Sequence, residues 1–286
     1  PVRQRYDIDG AQSGKTLLTM PAWQANGAVG VKLVTVFADN AIRSLPAVHS
    51  CYVLFDAESG AVRAILDGHE LTLRRTGAAS ALATKYLARP DARRLLMVGT
   101  GELAPHLVLS HAEVRPIEEV LIWGRRAEKA RETAAALQGH HFAVDVCTDL
   151  ESGVARADII SCATLSQDPL IEGRWLRPGQ HLDLVGAFRP NMREVDDTAM
   201  KRAELYVDTR AGALAEAGEF VQAIANGAIK PDDVRGELSQ LARGTIRGRS
   251  DPQAITLFKS VGTAIEDLAA AELATEAAGT ASNKGV

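Results

Sequence analysis

RLLMVGTGELAPHLVL, residues 94–109, joins a short apolar run to a two-glycine turn and then to a segment of helical character. Arg94 to Val98 (RLLMV) reads as a strand and Leu103 to Glu113 as a helix. Between them, Gly99-Thr100-Gly101-Glu102-Leu103-Ala104 fits G-x-G-x-x-A in the strand-to-helix setting that gives this pattern its meaning. Gly99 permits the tight turn. Gly101 has no side chain, so a pyrophosphate can approach the backbone, and Ala104 lets helix and strand pack closely. The helix N-terminus then offers N–H donors to the phosphates. Thr100, Glu102 and Leu103 complete the turn and open the helix, so residues 99–103 are expected to hold a dinucleotide.

The rhythm continues downstream. Glu119 to Trp123 (EVLIW) predicts a second strand, and Ala127 to Leu137 a helix. Phe142 to Val146, Asp158 to Ser161, His181 to Val185 and Leu205 to Val207 predict four further strands. Strands alternating with helices imply parallel β-α-β units, hence an α/β fold with a Rossmann-type doubly wound sheet. Upstream, residues 1 to about 73 are mostly strand and turn. Val29 to Phe37 and Ser50 to Phe55 are strands, and Glu58-Ser59-Gly60 turns the chain into Ala61 to Leu66 as a hairpin. Thr76 to Leu87 predicts a helix stopped by Arg89-Pro90-Asp91. Thr256 to Ala278 carries apolar residues at helical spacing. A nucleotide domain over 91–255, inserted between 1–90 and 256–286 of a mixed α+β domain, follows from this order.

The end of the second strand selects the nucleotide. An NAD-selective site places an acid there to bond the ribose 2′-hydroxyl. Here the chain reads Trp123-Gly124-Arg125-Arg126, and two guanidinium forks suit a 2′-phosphate instead. NADPH is therefore expected, with NADH less favoured.

Composition limits the alternatives. The chain has 286 residues, 46% of them hydrophobic, and a formal net charge of -4. That balance gives no electrostatic reason to expect nucleic acid or a membrane as partner. Cys51, Cys147 and Cys162 are scattered, as in a reducing, cytoplasmic setting. No apolar run approaches the ~20 residues that span a bilayer. The chain opens Pro1-Val2-Arg3 without an initiator methionine, so a preceding piece is expected, and Gly279 to Val286 reads as a frayed tail.

Several polar residues interrupt apolar surroundings. Lys32 lies inside VGVKLVTV, and Arg74 and Arg75 precede the helix that begins at Thr76. Lys32 on a solvent face and surface arginines are the plain alternatives, yet Lys32 with Arg75 would suit a small carboxylate. No metal is expected. His140-His141 point to opposite faces of a strand, and His106 and His111 lack the i, i+4 spacing of a zinc pair. His49 is read as a core or surface histidine. Ser13-Gly14-Lys15-Thr16 lacks the context of a phosphate loop. Asp196-Asp197 and Glu266-Asp267 read as helix-end or surface acids.

Nine stretches in order make the chain similar to the ornithine cyclodeaminase/mu-crystallin family: Pro1-Val2-Arg3, GVKLVTVF (30–37), RRTGAASALATKYL (74–87), VGTGELAP (98–105), IWGRR (122–126), ATLSQDPLI (163–171), LDLVGAFRPNMREVDD (182–197), AELYVDTR (203–210) and FKSVGTAIEDLAAA (258–271). The resemblance implies a homodimer whose outer domain binds substrate and dimerises. It implies Arg3, Lys32 and Arg75 around a substrate carboxylate, and Thr76 near the cofactor phosphates. Ala163, Thr164 and Ser166 would line the dinucleotide path, with Gly186 opening the next segment. Lys259, Ser260 and Gly262 would close over the nicotinamide end.

One departure narrows the activity. Ornithine cyclodeaminases carry an Asp at the position of Phe188, where it drives loss of ammonia. A phenyl ring cannot, and the Arg189-to-Glu194 segment resembles the ketimine and cyclic imino acid reductases. The expected reaction is NADPH-dependent reduction of Δ1-pyrroline-2-carboxylate or Δ1-piperideine-2-carboxylate to proline or pipecolate. Arg75 and Arg3 would anchor the carboxylate, Lys32 would contact it or donate a proton, and Phe188 would wall the ring. An alanine-type dehydrogenase, a cyclodeaminase and a non-enzymatic NADPH-binding protein are the rival readings.

Overall fold

The computed structural model describes residues 3–10 and 14–282. Two compact units emerge, one from residues 1–76 and 262–286, the other from 77–261. The sequence boundaries at 90/91 and 255/256 differ from these, for reasons visible in two elements below.

In the first unit, β1 (Gln4–Ile8), β2 (Lys15–Trp23), β3 (Val29–Phe37), β4 (Val48–Phe55) and β5 (Val62–Asp67) form one antiparallel sheet in sequential order. Side chains alternate between faces along each strand. Met20, Ala22, Tyr52 and Leu54 point to a core shared with Leu71 of α1 (Gly68–Leu87) and with Ala264, Leu268 and Ala271 of α9 (Ala264–Ser282). Helix α1 begins eight residues before the expected Thr76. Asp67 supplies the start: its carboxylate accepts from the amides of His69 and Glu70, at 2.8 and 3.1 Å, as an N-cap does. Arg74 and Arg75 therefore lie within the helix.

The second unit holds an eight-stranded parallel sheet, ordered β12 (Val234–Glu237), β11 (Ala203–Val207), β13 (Ile255–Lys259), β10 (His181–Leu184), β9 (Ile159–Cys162), β6 (Arg94–Val98), β7 (Glu119–Trp123) and β8 (Ala143–Val146). Seven helices intervene: α2 (Leu103–Val114), α3 (Ala127–Ala136), α4 (Leu150–Arg156), α5 (Asp197–Arg202), α6 (Arg210–Glu216), α7 (Gly218–Ala225) and α8 (Leu238–Ala242). Leu95 and Met97 enter one core, Leu96 and Val98 the other, so the sheet is apolar on both faces. The strand order reverses between β6 and β9, which is where a doubly wound sheet opens a ligand crevice.

Two expectations at the C-terminal end need correction. Residues 255–259 form a strand between β10 and β11, not the start of a helix. A strand buried on both faces reads as an apolar run, which periodicity alone cannot separate from a helix. Gly262, at φ +81°, ends the segment before α9 begins. Helix α9 also continues to Ser282, past the tail expected from Gly279, while 283–286, like Pro1, Val2 and Ser13, lie outside the described residues. His140 and His141 precede β8 rather than lying in it, and both contact the Phe142 ring. All three cysteines are free, and no described helix is long and apolar enough to cross a membrane.

Leu257 of β13 is fully buried. Leu257→Ala should cost about 3 kcal/mol in urea unfolding, as large-to-small changes in a close-packed core do. A loss under about 0.5 kcal/mol, the scale of a surface position, would contradict the placement of β13.

Candidate active site

The nucleotide signature lies where β6 meets α2. Gly99 has φ +127°, and a Cβ there would stand 2.5 Å from the Ala163 carbonyl oxygen. A Cβ on Gly124 would stand 2.6 Å from Thr100 Cγ2, so these loops meet with room only for hydrogen. A Cβ on Gly101 would meet nothing within 4 Å: this glycine faces open space. The space is a recess of about 570 Å³, lined by Gly99, Thr100, Gly101, Trp123, Gly124, Arg125, Arg126, Ala163, Thr164 and Ser166, among others. The first turn of α2 has no side-chain cap; there the Ala104 amide donates to the Gly101 carbonyl at 3.0 Å and Pro105 carries no N–H. Arg125 and Arg126 are exposed and form no ion pair among the described residues. Bare backbone at the pyrophosphate position and two arginines at the strand end fit a dinucleotide.

Three other expected site residues lie in the same unit: Lys259 and Ser260, expected at the nicotinamide, and Phe188, expected at the substrate ring. Lys259 is fully buried; its Nζ lies 3.1 Å from Glu219 Oε2 and donates to the Gly186 carbonyl. Ser260 is buried and donates through Oγ to Asp208 at 3.4 Å. Phe188 is half-exposed, with the Arg189 guanidinium 5.6 Å from its ring centre.

The first unit assembles the cationic group. Lys32, on the inner face of β3, is 3% exposed, and Arg75, in α1, is 8% exposed. Both reach one oxygen: Asp267 Oδ1 accepts from Lys32 Nζ at 2.8 Å and from Arg75 Nε at 3.0 Å. Arg75 Nη1 also donates to Glu266 Oε2 at 2.7 Å, and Lys32 to Thr72 Oγ1 at 3.2 Å. Arg3 donates to the Gly262 carbonyl at 3.0 Å. A Cβ on Gly262 would come 2.5 Å from Arg75 Nη1, so this glycine makes room for the guanidinium. Thr76 is buried beside Arg75 in α1. The Lys32 ammonium is lowered to about 8, first by burial and then by the Arg75 charge; Asp267 opposes both.

Glu266-Asp267 are therefore not surface acids. They occupy the first turn of α9, where the helix dipole favours negative charge, but Asp267 is fully buried. Helical periodicity could have shown it, since Asp267 shares the inward stripe with Ala264, Leu268 and Ala271. Two further acids went unnoticed, Glu194 and Glu219, both fully buried. His111 is buried between Thr84 and Asp183, each at 3.0 Å, in a structural network.

Asp267→Asn removes the counter-charge of two buried cations. It should cost about 3 kcal/mol in urea unfolding, in the range for breaking a buried pair. Glu266→Gln, at the more exposed acid that pairs with Arg75, should cost about 1 kcal/mol. Equal losses would contradict Asp267 as the centre of the cluster.

Residues 6–282 match the model of the ornithine cyclodeaminase/mu-crystallin family. A Δ1-pyrroline-2-carboxylate reductase of Paracoccus denitrificans is 42% identical over 269 residues, spanning 94% of this chain and 85% of that one. The ketimine reductase mu-crystallin of Rattus norvegicus is 37% identical over 255 residues, covering 89% and 78%. Among solved structures, the Thermococcus litoralis Δ1-pyrroline-2-carboxylate reductase, in complex with NADH and L-proline, superposes with a TM-score of 0.90 at 32% identity, covering 96% and 85%. The chain belongs to the ornithine cyclodeaminase/mu-crystallin family.

Proposed function

We propose that the protein reduces a cyclic imine carboxylate, Δ1-pyrroline-2-carboxylate or Δ1-piperideine-2-carboxylate, to proline or pipecolate with NADPH. The observation that carries this reading is the buried convergence of Lys32 and Arg75 on Asp267. Arg3, Lys32 and Arg75 gather cationic groups in one unit, which suits a substrate carboxylate. Arg75 orients that carboxylate, and Arg3 adds charge beside it.

When bound, a reduced nicotinamide would provide the hydride that the ring carbon of the C=N bond takes up. The nitrogen then needs a proton. Lys32, lowered to about 8, donates it from Nζ at neutral pH far more readily than an ordinary lysine. Asp267 keeps that ammonium charged and aimed. Its Oδ2 is buried without a hydrogen-bond partner among the described residues, a costly state that an N–H of the ligand ring relieves. NADPH is favoured because Arg125 and Arg126 stand where an NAD-selective site holds an acid.

The same reading makes the protein a homodimer. The outer face of the five-stranded sheet exposes Tyr6, Trp23, Val29 and Ile65, with Leu17, Val31, Leu33 and Val53 half-buried between them. An antiparallel sheet apolar on both faces needs cover on both, and a two-fold copy supplies the same patch. Wild-type protein should sediment as a dimer and Ile65→Lys as a monomer; a monomeric wild type would contradict this.

Oxidation of NADPH and of NADH, measured with each imine and with pyruvate plus ammonia, tests the activity. Rapid loss of NADPH with an imine is expected. Turnover only with pyruvate and ammonia would make the protein an amino-acid dehydrogenase, and no turnover would leave a binding protein. Because Lys32 must be protonated, kcat/KM should fall as pH rises through about 8. Asp267 raises that value, so Asp267→Asn should move the fall to lower pH; an unmoved limb would exclude Lys32 as the donor.

A further inference from the structure

Behind the nucleotide recess lies a second ionic cluster that the reaction above does not use. Glu194, Glu219 and Lys259 are all fully buried. Glu194 Oε1 accepts from the Thr164 amide at 2.7 Å and from the Thr164 hydroxyl at 2.8 Å. Glu219 Oε1 accepts from the Glu194 amide at 2.9 Å, while its Oε2 meets Lys259 Nζ at 3.1 Å. Lys259 also holds the Gly186 carbonyl. A Cβ on Gly186 would stand 2.4 Å from Glu194 Oε1 and 2.1 Å from the Thr164 carbonyl oxygen, so only glycine lets the three segments meet.

The cluster thus joins the turns that follow β9 and β10, at the strand ends where the sheet order has reversed. Thr164 is the joint, because it lines the recess in front while Glu194 grips it from behind. We infer that Glu194 is a positioning residue for the dinucleotide, fixing the recess wall through Thr164, and that its own charge opposes the bound phosphates. This rests on the recess being the nucleotide site.

The charge balance gives the sign. Glu194 is faced by Thr164 and Cys162 from β9 and its following turn, by Glu219 from α7 and by Lys259 from β13. One ammonium cannot neutralise two buried carboxylates, so one acid is pressed to keep a proton. Glu194 is raised to about 7, first by burial and then by Glu219 against the pull of Lys259. Below that pH the cluster is neutral; above it, a negative charge sits behind the recess. An anionic ligand binds the neutral form better, and affinity falls as pH rises through about 7. No histidine lines the recess to mimic this.

The test is the affinity for NADPH and NADH from pH 6 to 8.5, followed by nicotinamide fluorescence on the full chain. Wild type should weaken about threefold over that range, a modest effect of a charge screened by protein. Glu194→Gln keeps an acceptor for Thr164 and carries no charge, so it should hold the wild-type pH 6 affinity throughout. Glu194→Ala loses the grip and should bind about tenfold more weakly at every pH, as when a charged hydrogen-bond acceptor is removed. Thermal unfolding of Glu194→Gln near the wild-type temperature separates this from general loosening. A Glu194→Gln profile that still falls with pH, or Glu194→Ala binding like wild type, would overturn the inference. Wild-type protein that binds neither nucleotide at any pH would instead overturn the nucleotide reading of the recess.

Discussion

One carboxylate oxygen, Asp267 Oδ1, accepts from both Lys32 and Arg75 inside the first unit, at 2.8 and 3.0 Å. Two buried cations side by side repel each other and have lost their water, which only a counter-charge at contact offsets. The surrounding elements serve that contact. Strand β3 turns Lys32 inward, α1 presents Arg75 two turns after its Asp67-capped start, and Gly262 leaves space for the guanidinium just before α9 delivers Asp267. The arrangement holds Lys32 near the threshold of releasing its proton while keeping it charged at neutral pH.

The second unit solves a different problem with similar means. A dinucleotide needs bare backbone at the pyrophosphate, and Gly101, which faces open space at the turn into α2, provides it. Bare loops lack side chains to hold themselves in place. Buried ionic contacts behind the recess do so instead, through Glu194 to Thr164 and Lys259 to Gly186. Lys259, expected at the nicotinamide, is fully buried and donates to the Gly186 carbonyl.

Local signals made much of this legible in the sequence. The glycine turn, the strand Arg94–Val98 and the strand Val29–Phe37 carry their structure in adjacent residues, and each lies where it was expected. Strand β13 did not show itself because an apolar run buried on both faces has no telling period. Asp267 was passed over because an acid in a first helical turn has an ordinary explanation. Only its phase on the apolar stripe of α9 sets it apart. Glu219 and Glu194 carry no such mark, since their burial depends on a lysine some 40 and 65 positions away in sequence. Contacts of that range are made by sheet topology, which places β13 beside β10.

The Lys32–Arg75–Asp267 cluster is proposed to receive a small cyclic carboxylate. Calorimetric titration of NADPH-saturated protein with pyrrole-2-carboxylate, a planar analogue of the five-membered imine, tests it most directly. Saturable binding to wild type is expected, with its loss in Arg75→Lys and Lys32→Met variants that remain folded and still bind NADPH. Undiminished binding of the analogue by both variants would contradict it.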